Sequence, residues 1–214
     1  MPAQIPVIWF KSNKDPQTSF AGSLWIAIHT QIYNYTHVND YIMRINNIVK
    51  ALSYSDYFGF LMDSKTLSNL SALINKNLRK MKIKEFYFSL TEDNDVQKAI
   101  NYMEKGRPIV IGIPYYSIDP FVKYRVVNNN IPENIKYYLT AFNYGDQILL
   151  IPSFQGVELK TGLDDFYNSN SEVVQTMGIE EFVGHCGKIK NGIEVIYANV
   201  LAKNGEEVRS LNEY

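Results

Sequence analysis

Apolar positions in the first half of the chain recur every three or four residues. Phe20, Leu24, Ile28 and Ile32 fall at intervals of four, with Trp25 and Ala27 beside them. That spacing predicts a mostly buried helix of about 15 residues, because apolar side chains then lie on nearly every side of it. Asn39–Leu52 carries Ile42, Ile45, Val49 and Leu52, a second amphipathic helix with Asn39 or Asp40 as its cap. Asp63 or Ser64 caps a third, with Leu67, Leu70, Leu73 and Ile74 on its inner face. Asn94–Lys105 is a fourth, with Val96, Ala99, Ile100 and Met103 inward and Gly106 as its C-terminal stop.

After Gly106 the period changes. Pro108–Tyr116, Lys136–Tyr144, Gln147–Ser153 and Ile193–Leu201 are short apolar, β-branched or aromatic runs between turn residues, and they read as strands. Asn143–Tyr144–Gly145–Asp146 is a hairpin turn joining the second and third of these runs. Helices therefore come first and an antiparallel sheet second, an α+β arrangement. The expected organisation is one domain over residues 1–214, with a helical lobe at about 15–105, a β lobe at about 106–214 and a cleft between them.

Composition narrows the picture by exclusion. Lys and Arg number 21 against 22 Asp and Glu, so the net charge of −1 gives no basic excess to favour nucleic acid as a partner. No window holds the ~20 apolar residues of a membrane span. Met1–Phe10 has no basic n-region followed by an apolar stretch, and one cysteine, Cys186, makes no internal disulfide. A protein of the cytoplasm, or one packaged in a virus particle made there, is the expectation, and a secreted one is not. Three histidines and one cysteine show no metal-ligand spacing, so neither a metal nor another cofactor is expected.

Four stretches carry a further pattern. Gln17–Trp25 reads QTSFAGSLW, Asp95–Tyr116 reads DVQKAINYMEKGRPIVIGIPYY, Tyr137–Gly145 reads YYLTAFNYG and Leu149–Gly156 reads LLIPSFQG. In order and spacing they resemble the papain-like cysteine peptidases, in particular their compact bacterial and viral branch. The first is similar to that family's oxyanion glutamine followed by Cys-Gly-Ser-Cys-Trp, the second to the helix and strand before its histidine. The third is similar to the histidine strand and the fourth to the Asn-Ser-Trp-Gly segment. The resemblance implies a papain-like fold: a long buried central helix in the N-terminal lobe and a C-terminal antiparallel sheet or barrel.

Residue by residue, it also implies a lost active site. Such a site needs a thiolate at a helix N-terminus, a histidine as acid and base, and an Asn to orient the ring. The cysteine position falls on Leu24, or on Ser23 when counted six residues from Gln17. The histidine position falls on Tyr137, and the Asn position on Ser153 or, with a shift of one, Pro152. The shielding Trp becomes Gln155 or Phe154, and only Gln17 and Trp25 keep the family's identity. His29 sits about 240° around the helix from Ser23 and faces away from it. His185 and Cys186, placed on a strand, point to opposite faces.

The resulting expectation is an inactive papain-fold protein that binds a protein or peptide partner or serves as an assembly component. No catalytic residues are expected. Gln17, Ser23, Trp25, Tyr137 and Gln155 are the candidate binding residues. The alternative is an active hydrolase centred on Ser23 with Tyr137 beside it, although a phenol with a pKa near ~10 is a poor base at neutral pH.

Overall fold

A computed structural model describes residues 19–32, 64–80, 82, 84, 86–123, 136–152, 167–168, 171–172 and 174–203. In chain order these form α1 (Ser19–Ile32), α2 (Ser64–Lys80), β1 (Phe86–Asp93), α3 (Val96–Glu104), β2 (Ile109–Pro114), β3 (Lys136–Tyr144), β4 (Gln147–Pro152), β5 (Gln175–Gly178), α4 (Ile179–Gly187) and β6 (Glu194–Ala202). The helix expected at Asn39–Leu52 lies outside the described residues. The strands make one six-stranded antiparallel sheet in the order β1-β6-β2-β3-β4-β5.

Alternation along each strand sends side chains to two separate cores. Val110, Tyr138, Phe142, Leu149, Ile151, Ile196 and Val200 pack with Phe20, Leu24 and Ile28 of α1 and Leu67, Leu70 and Ile74 of α2. Ile109, Ile111, Tyr137, Leu139, Leu150, Val195 and Tyr197 pack on the other face, with Ala99, Ile100 and Met103 of α3 and Phe182 and Cys186 of α4. Helices thus cover both faces of the sheet, and its strands are apolar on both sides.

This corrects the expected order of helices first and sheet second. β1 falls between α2 and α3 and pairs with β6 along its whole length, so the sheet takes a strand from the range expected to be a helical lobe. The period-two pattern was present in its sequence, with Phe86, Phe88 and Leu90 buried and Thr91 and Glu92 exposed. β5 and α4 were not read from the sequence at all. Gly145, with φ +68°, takes the left-handed conformation required in the two-residue β3–β4 hairpin loop.

α1 has a buried side chain at every position whose side chain is described. Its polar groups therefore need partners inside the protein. Thr30 Oγ1 donates to Ile26 O at 2.7 Å, and Gln31 Nε2 donates to both Ala27 O and Ala198 O at 3.1 Å. The last of these ties the helix to the middle of β6.

α2 meets β1 through side chain-to-backbone bonds as well as apolar contact. Asn75 Oδ1 accepts from Phe88 N at 2.8 Å while its Nδ2 donates to Phe88 O at 2.7 Å, and Ser71 Oγ accepts from Leu90 N at 2.9 Å. Ser71 and Asn75 stand four residues apart, roughly 6 Å along a helix. Phe88 and Leu90 stand two apart, roughly 6.7 Å along a strand. The repeats match, so one helical face satisfies the edge of β1 that β6 leaves open. An edge strand left bare is a template for pairing with another chain.

Asn75→Leu keeps the size of the side chain and removes both bonds to Phe88. It is expected to cost about 1–3 kcal/mol, the range for leaving buried backbone groups unpaired. Ser71→Ala, which strips one acceptor, should cost about 1 kcal/mol. Urea unfolding measures both, and an unchanged midpoint in Asn75→Leu overturns the role given to that side chain.

Candidate functional site

Among the described residues the β3–β4 ladder runs to the Leu139–Pro152 pair, and Tyr138 is the next residue of β3. The first turns of α1 bond to the backbone of Tyr138. Tyr138 N donates to Ser19 Oγ at 3.0 Å, and Ser23 Oγ donates to Tyr138 O at 3.0 Å. Thr140 Oγ1 returns a bond to Ser23 O at 2.9 Å. Ser19, Ser23 and Thr140 are each 0 % exposed, so the seam is dry. Ser19 and Ser23 are four apart on one helical face, the same device by which α2 closes the edge of β1.

Ser23 is therefore a poor nucleophile. Its hydroxyl proton is committed to a backbone carbonyl rather than to a base, it is sealed from substrate, and it sits one turn inside α1 instead of at the helix start. Leu24 is buried in the core between α1 and the sheet. Trp25 lies on α1, but its side chain is not among those described, nor is that of His29. Gln17, His37, Ser153 and Gln155 lie outside the described residues. Pro152 is buried at the end of β4.

The expected meeting of Ser23 with Tyr137 does not occur. Tyr137 points into the core on the α3 and α4 face, while α1 covers the opposite face. The side chain on the α1 face is Tyr138, one residue on. Strand side chains alternate, so a register slip of one moves a residue through the sheet. The site expected between Ser23 and Tyr137 is therefore not formed.

Tyr138 belongs to a polar row that crosses three strands. Gly112 of β2 pairs with Tyr138 of β3 on one side and with Glu194 of β6 on the other. The phenol ring lies over Gly112, where a Cβ would meet Tyr138 Cε1 at 2.6 Å. Passing over the glycine, Tyr138 OH donates to Glu194 Oε2 at 3.1 Å. Lys136, two residues before Tyr138 on the same strand face, places Nζ 2.6 Å from the same oxygen. The Glu194 side chain is 4 % exposed and that of Lys136 16 %. Phe20 of α1 packs edge-on against the ring with centroids 5.0 Å apart.

Burial first, and the Glu194 carboxylate second, hold the Tyr138 phenol well above the ordinary phenol range. It is a neutral hydrogen-bond donor across the physiological range and unsuited to act as a base. Sequence reasoning singled out neither Gly112, Tyr138 nor Glu194. The glycine inside an apolar strand was the available signal, because such a glycine marks a close approach.

His185 and Cys186 lie on α4, not on a strand, so they are separated by about 100° around a helix. The Cys186 thiol is in the core, and burial pushes it up to about 12. The His185 ring stands edge-on to Phe121, with Nε2 3.6 Å from Glu181 Oε1. The two make no thiolate–imidazole pair. Among the described residues no three His, Cys, Asp or Glu side chains gather as metal ligands, and no described helix is long and apolar enough to cross a membrane.

No family model, no curated protein and no solved structure matches this chain.

Gly112→Ala is expected to destabilise by about 1–3 kcal/mol, the usual range for overpacking. The double variant Gly112→Ala/Tyr138→Leu should cost less than the sum of its parts, since the clash is with the ring. Urea unfolding of the four-member cycle measures the coupling, and strict additivity overturns the close approach.

The raised Tyr138 pKa carries a pH dependence whose sign is fixed. The unfolded phenol loses its proton above about pH 10 while the folded one keeps it, so unfolding is then favoured. The stabilisation is fully present below that pH and is lost as pH rises toward the folded value. Urea midpoints between about pH 8 and 11 should fall more steeply in the wild type than in Tyr138→Phe. Equal slopes overturn the assignment.

Proposed function

We propose that this chain is a non-catalytic protein of papain-like descent that acts by holding a protein or peptide partner or by taking a place in an assembly. The observation that carries the reading is the state of Ser23, whose buried hydroxyl is spent on Tyr138 O. The resemblance puts Ser23 or Leu24 where a nucleophile belongs. One is a stitch between helix and strand, and the other is core.

The arrangement of α1 supports papain-like descent in its broad lines. A buried helix near the start of the chain packs across the antiparallel strands that follow, and the motif strand β3 runs beneath its first turn. The groups that acid–base chemistry requires are replaced by groups with structural work. Tyr138 is neutral and bonded to Glu194, and the Cys186 thiol is protonated and enclosed. An active hydrolase centred on Ser23 would need that hydroxyl exposed and a base beside it.

The test is incubation with epoxide and vinyl-sulfone probes of cysteine peptidases and with a fluorogenic peptide library at neutral and acidic pH. No turnover and no labelling of the folded protein are expected, and Cys186 should react only after denaturation. Peptide turnover abolished by Ser23→Ala overturns the non-catalytic reading. Leu24→Cys/Tyr137→His is expected to stay inactive, because its two new groups face opposite sides of the sheet. For the binding role, affinity capture from the native source should return a stoichiometric protein or peptide. Failure to capture either one overturns it.

A further inference from the structure

We draw no further inference here: the strongest candidate, the buried hydroxyl of Tyr197 on β6 beside Tyr102 and under Lys98 of α3, carries nothing, because nothing in the structure shows what would meet it.

Discussion

The seam between α1 and β3 rests on the backbone N–H and C=O of Tyr138. Tyr138 lies in a dry interior, one residue before Leu139, whose pair with Pro152 is the last of the described β3–β4 ladder. A buried N–H and C=O must find partners, and Ser19 and Ser23 supply them. These bonds set how α1 lies on the sheet and commit the Ser23 hydroxyl to a backbone carbonyl. A helix cannot offer its own backbone to a strand, since its amides and carbonyls are used internally. It can offer short polar side chains at four-residue spacing, and α2 does the same for β1 through Ser71 and Asn75. Two helices meet strand backbone with one device.

The row Glu194–Gly112–Tyr138 follows from the same seam. With its backbone held by α1, Tyr138 projects its ring across β2, and only a residue without a Cβ leaves the room. The phenol and Lys136 together satisfy the Glu194 carboxylate, which is otherwise expensive to enclose. Ser19, Ser23, Tyr138, Thr140 and Glu194 thus each hold a bond that joins a helix or strand to its neighbour.

The legible part of the sequence was the part governed by local period. α1 falls on the predicted stretch, α3 ends at Gly106 as its left-handed φ of +75° requires, and β2, β3, β4 and β6 lie on the four apolar runs. β1 was missed because its alternation is short and aromatic and sits between two helical patterns. α4 was missed because IEEFVGHCG offers only Phe182 and Cys186 to the core over nine residues. At the site, Ser23 was rightly placed against β3, but on Tyr138 rather than Tyr137. Both are tyrosines, so composition at the two positions gives no means of choosing between faces.

By itself the sequence determined the α+β character and the buried helix over Ser19–Ile32. These depend on residue type and on spacing along one segment, which a chain carries before it folds. Only the tertiary structure decided that helices cover both faces of the sheet, that Tyr138 rather than Tyr137 meets α1, and that Gly112 opens a path to Glu194. Strand order and register settle such matters, and they are fixed by which backbone edges meet across the sheet, a property of the whole chain that no local pattern records.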